Sequence, residues 1–201
     1  MSDLETNLAP LLHLLHDVFD GSDAEPVRNI LTGWPAQPRS ITAPSARTLP
    51  VTQWLPEARK HTPKGMGAVV QTLSDVSAAL CWQQTYSDAD MDQYFLDRYG
   101  WTMLVGPDAP LASDRLLCGF LLLGQGVEYP PHQHAAEEVY VVLSGTASWK
   151  LDDDPWQTLA PGTVVHNPPW RIHGMRTDQS QPLLLAFLWK AARPEKSRVL
   201  G

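Results

Sequence analysis

The chain has 201 residues, 43% hydrophobic and 18% charged, which is enough apolar material for a buried core and argues against wholesale disorder. Its formal net charge of −7, with no basic cluster, argues against a surface built for nucleic acid or an anionic membrane. No run of ~18 consecutive apolar residues occurs, so no membrane-spanning helix is expected.

The N-terminus is acidic and has no basic segment of the kind that opens a signal peptide, so a cytoplasmic protein is expected. Cys81 and Cys118 stand far apart without metal or redox spacing; two buried thiols are expected, with a disulfide left open. Eighteen prolines suit short strands and loops, and eight tryptophans supply faces for a core or a cation-binding box.

In chain order, Leu4, Leu8, Leu11, Leu12, Leu15, Val18 and Phe19 recur at helical spacing. They predict a helix over 3–19, with Ser2 or Asp3 as N-cap, Gly21 as stop, and a kink or division at Pro10. His13 and His16 lie on it as a partly exposed pair. A short helix over 23–31 with Asp23 as cap follows, then an extended connection over 34–50. Trp54 to Ala58 and Met66 to Leu80 carry helical spacing, and 80–86 reads as a strand or helix end. Residues 88–100 read as a helix with an acidic first turn and a glycine stop.

From about residue 101 short apolar runs alternate with Gly, Pro and Asp: 101–105, 116–123, 138–143, 147–151, 156–159, 163–165 and 183–189. Strands of this length and spacing signal an antiparallel sandwich or barrel. Asp152, Asp153 and Asp154 fit a solvated hairpin turn. The expected organisation is a mostly helical part, 1–105, packed on a mainly β domain, 106–201.

Within that domain, Gly126 to Gly145 carries His132-x-His134, then Glu138, then Tyr140. Alternation in a strand lets His132 and His134 share a face, and likewise Glu138 and Tyr140. A turn between the pairs brings imidazoles and a carboxylate together, a donor set suited to a borderline divalent metal. The spacing resembles the first cupin motif, and Gly162, Pro168 and His173 resemble the second. Trp170 stands where the second motif usually has glycine, and Thr177 where it usually ends in asparagine. The resemblance covers about 115–190. It implies a double-stranded, jelly-roll-like β-barrel holding one divalent metal on His132, His134, Glu138 and His173. Zinc or iron(II) leads, and manganese, cobalt or nickel also suits such donors.

With its short length, helical N-terminal part and H-x-H-x3-E-x-Y run, the chain is similar to the DddQ-type dimethylsulfoniopropionate (DMSP) lyases. That resemblance implies a small-molecule substrate, with no nucleic-acid or membrane partner, and a monomer or homodimer. Metal would hold the substrate carboxylate while a tyrosine takes the α-proton, releasing dimethyl sulfide and acrylate. Tyr140 is the implied base, and Tyr129, expected at the barrel rim, a second catalytic or substrate-orienting hydroxyl. A nearby divalent cation favours phenolate and lowers a phenol's pKa from ~10. The sulfonium needs aromatic faces, for which Trp189 is the first choice and Trp149 and Trp170 are others. His166 is a further residue that could orient a ligand. The same ligand set would serve an iron-dependent cupin dioxygenase or a non-catalytic cupin binding protein. Anaerobic turnover distinguishes the dioxygenase, and ligand binding without turnover the binding protein.

Overall fold

The computed structural model describes residues 3–35 and 44–200; Ser2 and part of the 34–50 connection lie outside that range. In chain order the strands are β1 (Trp82–Gln83), β2 (Tyr99–Gly106), β3 (Leu111–Ala112), β4 (Leu117–Leu123), β5 (Glu128–Gln133) and β6 (Glu137–Ser144). They continue as β7 (Ala147–Leu151), β8 (Gln157–Leu159), β9 (Val164–Asn167), β10 (His173–Thr177), β11 (Leu183–Lys190) and β12 (Arg198–Val199). One sheet runs β1-β2-β4-β11-β6-β9 with β3 beside β2, and the other β12-β5-β10-β7-β8. Apart from the parallel β2–β3 pair, every strand pairing is antiparallel. Between β5 and β12 the chain steps repeatedly from one sheet to the other, which gives the jelly-roll barrel. The first sheet draws β1 and most of β2 from before residue 106.

The larger sheet is buried on both faces, which is why β4 reads apolar at nearly every position instead of alternating. Leu121, Tyr140, Val142, Leu185 and Phe187 point into the barrel, where they meet Trp149 and Met175 of the smaller sheet. Their neighbours Phe120, Leu122, Val139, Val141, Leu184 and Ala186 point outward into a second core. That core is completed by helices α1 (Asp3–Asp20), α2 (Glu25–Leu31), α3 (Leu55–Lys60) and α4 (Gly67–Val76).

The helix α1 runs undivided through Pro10, burying Leu8, Leu11, Leu15 and Phe19 along one stripe. In α2 the N-cap is Ala24 and not the expected Asp23; Pro26 opens the first turn, where its missing N–H costs nothing. The expected helix over 88–100 shrinks to one turn, α5 (Gln93–Leu96). Asp90 accepts from the Ser87 amide at 2.9 Å, and Asp92 caps Phe95 at 2.8 Å, so local side chains tie the backbone into a turn. Tyr99 and Gly100 already pair with Leu123 and Leu122 in the sheet. Cys118 is buried, Cys81 is half-buried, and both are free thiols. No helix among the described residues is long and apolar enough to cross a membrane.

Candidate active site

Three neighbouring segments meet at one end of the barrel. His132 lies near the end of β5, directly across from His173 on β10. His134 sits just past the end of β5, and the turn after it carries the chain to the other sheet, where Glu138 is the second residue of β6. All four side chains are buried. The three imidazoles offer ligand atoms within 4.8 Å of one another.

Their tautomers are set by the backbone. His132 Nδ1 is 2.9 Å from the Pro130 carbonyl, His134 Nδ1 2.9 Å from that of Ala136, and His173 Nδ1 2.9 Å from that of Arg171. A carbonyl only accepts, so each Nδ1 carries the proton and donates, leaving each neutral ring a lone pair on Nε2. Nε2 of His134 and of His173 has no hydrogen-bond partner although both are buried. Each lies 3.3–3.4 Å from Glu138 Oε2 without hydrogen-bond geometry. Buried, unpartnered lone pairs beside a buried carboxylate are the arrangement a cation completes, so the residues fit a divalent metal.

Glu138 is itself braced. Asn167 on β9 and Trp189 on β11 flank it in register. The Asn167 amide donates to Oε2 at 2.7 Å, and the Trp189 indole N–H donates to Oε1. The Trp189 ring also stacks on His134, with centroids 4.4 Å apart. Asn167 is absent from the sequence reading; its register opposite Glu138 becomes visible only once β9 is extended two residues past Val165.

Electrostatics follow from this packing. Burial is the largest influence on Glu138 and raises its pKa, but His134 and His173 together outweigh it and hold the carboxyl well below its ordinary range. Burial likewise depresses His134, yet Glu138 reverses the balance and leaves it raised. Burial, with His173 beside it, lowers His132 to about 3.

Tyr140 is buried, makes an edge contact with Trp149 at 5.4 Å, and faces a cavity that is partly open to solvent. His132, Tyr129, Trp189 and Phe187 line the same cavity. Tyr129 is buried and not at the rim. A bulge explains this: His132 and Tyr129 are three residues apart, whereas their partners His173 and Met175 are two apart. The extra residue falls at Pro130-Pro131, where proline is tolerated, and it turns both side chains inward. Their rings stack at 4.1 Å. The Tyr129 hydroxyl is 3.0 Å from that of Tyr86, a residue the sequence reading passed over. Burial pushes the Tyr129 and Tyr140 phenols well above their ordinary range, and for Tyr140 the Glu138 charge adds to it.

The remaining singled-out residues lie elsewhere or play other parts. Trp149 is stacked parallel to His173 at 6.5 Å. Trp170 is 61% exposed, and His166 pairs with Glu137 at 3.0 Å. His13 and His16 are near Asp17, at 3.6 and 3.8 Å. Asp152 to Asp154 turn between β7 and β8, with Asp152 at φ 43°.

A two-sheet jelly-roll barrel with three inward imidazoles able to hold a metal at one end is a cupin. The family model for dimethylsulfoniopropionate lyase, DMSP_lyase, matches residues 30–185, and the chain belongs to that family. It is 30% identical over 162 residues to dimethylsulfoniopropionate lyase DddQ of Ruegeria pomeroyi, covering 80% of each chain. It is 28% identical to the putative dimethylsulfoniopropionate lyase DddL of Cereibacter sphaeroides, covering 75% of this chain and 68% of that one. Among solved structures, a chain from the crystal structures of the DMSP lyases RdDddP and RnDddQII superposes with a TM-score of 0.86 at 28% identity, covering 98% of both chains.

Proposed function

We propose that this protein cleaves DMSP to dimethyl sulfide and acrylate by β-elimination, with Tyr140 as the base and a divalent metal on His132, His134, Glu138 and His173. The observation that carries the reading is a buried three-imidazole cluster with unpartnered Nε2 lone pairs, whose His132 lines the same cavity as the Tyr140 phenol, in a chain of the DMSP lyase family. When bound, a divalent cation supplies a Lewis acid for the substrate carboxylate and a positive field that favours phenolate nearby.

The chain's own residues divide the remaining work. Tyr140 Oη takes the α-proton, and the C–H electron pair becomes the new double bond. The C–S bond breaks toward sulfur, which leaves as neutral dimethyl sulfide, so no general acid is needed at that end. Tyr129, stacked on His132 and bonded to Tyr86, orients the substrate with its hydroxyl. Apolar and aromatic walls, Trp101 and Phe187 among them, keep competing water from the base. The Trp189 ring shares that wall and gives a face to the sulfonium, in addition to holding Glu138.

The test is headspace dimethyl sulfide from the metal-loaded protein with and without chelator. Production that stops on chelation supports the reading, and equal production in a rigorously metal-free sample overturns it. Tyr140→Phe is expected to lose at least ~100-fold in turnover while keeping its metal, the scale of a lost general base. Retained turnover in that variant removes Tyr140 from the role.

A further inference from the structure

The cavity is lined by one acidic side chain among the described residues, and it comes from the end of the chain. After β11 the polypeptide does not leave the barrel but crosses the cavity mouth, so that Pro194, Glu195 and Ser197 form part of its wall. This tail is fixed on both sides of Glu195. Beyond it, Arg198 and Val199 pair with Gln133 and His132, and the Leu200 amide donates to the Pro131 carbonyl at 2.9 Å. Lys196 reaches Asp90 at 2.6 Å. Glu195 itself accepts from the Ala136 amide through Oε1 at 2.7 Å. One oxygen is thus committed and the carboxylate is held in place. Among the described residues, no lysine or arginine lines the cavity to neutralise it.

We infer that Glu195 is the specificity residue for the cationic end of the substrate, the counter-charge that makes this pocket select an onium carboxylate over a carboxylate of the same shape with an uncharged end. The inference rests on the proposed substrate class. A sulfonium carries no N–H or O–H, so it cannot be recognised by hydrogen bonding; only a fixed negative charge and aromatic faces distinguish it from an isopropyl group. Aromatic faces alone leave the cation desolvated at a cost, and a fixed carboxylate at the wall offsets that cost. The imidazole cluster then serves the carboxylate, and Glu195 supplies the counter-charge for the onium.

The experiment measures binding, not turnover, so that it stands or falls separately from the lyase reading. Metal-loaded protein is titrated calorimetrically with β-alanine betaine, a trimethylammonium carboxylate, and with the carboxylate of the same shape whose tert-butyl end is uncharged, carbon replacing nitrogen. Wild type is expected to prefer the betaine by about tenfold or more, and Glu195→Gln to reduce that ratio to about threefold or less. The amide keeps an oxygen for the Ala136 N–H, and metal content and Tm are expected to match wild type. A ratio unchanged in Glu195→Gln, or a wild type without preference for the betaine, overturns the inference even if dimethyl sulfide is produced. A collapse of the ratio supports it even if dimethyl sulfide is not.

Discussion

Each imidazole of the site is committed before any ligand arrives, because its Nδ1–H is spent on a carbonyl two residues away in sequence. The same economy governs Glu138, whose two oxygens are each taken by a donor from a neighbouring strand. Removing one donor loosens the carboxylate without touching an imidazole. Asn167→Ala is therefore expected to weaken metal binding by about 10–100-fold, the usual effect of losing such a brace. Competition with a chromophoric chelator measures it, and an unchanged affinity would remove Asn167 from the site. Trp170 presents a different residue-scale problem. It takes φ 63° at the position where the cupin motif usually has glycine, so the loop keeps a glycine backbone with a bulky side chain on it. Its ring is exposed and recovers little by burial. Trp170→Gly is expected to stabilise the protein by about 1 kcal/mol, the order of the left-handed penalty, read as a rise in the urea midpoint.

At the scale of elements, the tail that carries Glu195 is closed by an ion pair whose pH range can be worked out. The Lys196 ammonium, with help from the Ser87 amide and hydroxyl, lowers Asp90 from 3.8 to about 2. A carboxyl depressed on folding stabilises the fold above its unfolded pKa and loses that contribution as pH falls through the folded one. The contribution of this ion pair is thus full above about pH 4 and is lost toward pH 2. Lys196→Met is expected to move the Asp90 titration part of the way back toward 3.8, as followed by its carboxyl carbon shift. An unmoved titration would mean that the serine contacts alone set it. This strap was not legible in the sequence, because Arg198-Val199 is two residues long and its partner strand is distant in the chain. The long strands were legible for the opposite reason: Leu117–Leu123 and Leu183–Lys190 are so apolar that few other structures accommodate them. The motif spacing announced the imidazoles, but the bulge at Pro130-Pro131 that brings Tyr129 inward depends on cross-strand register, which no local pattern contains.

The whole molecule is two cores separated by one sheet, and adjacent residues of β4 report on them independently. Leu122 is fully buried against the helical layer, with Val139 and Leu184 in the same core. Leu121, its neighbour, points the other way and lines the cavity beside Tyr140. The same truncation should then have two different outcomes. Leu122→Ala leaves a void enclosed by packed side chains, so both the lost transfer energy and the cavity penalty apply, about 2–5 kcal/mol. Leu121→Ala enlarges a space that already opens to solvent; the cavity penalty largely vanishes and the loss stays near the low end, about 2 kcal/mol. Function should invert the order, because Leu121→Ala widens the wall that the substrate packs against, whereas Leu122→Ala leaves that wall in place. Urea midpoints and the KM for DMSP, measured on both variants, give the comparison. Equal destabilisation with equal KM would mean that the sheet does not insulate the helical core from the barrel. A larger loss of stability in Leu122→Ala with a larger rise of KM in Leu121→Ala is the expected result, and it would show the helices acting on the site only through the stability of the sheet they cover.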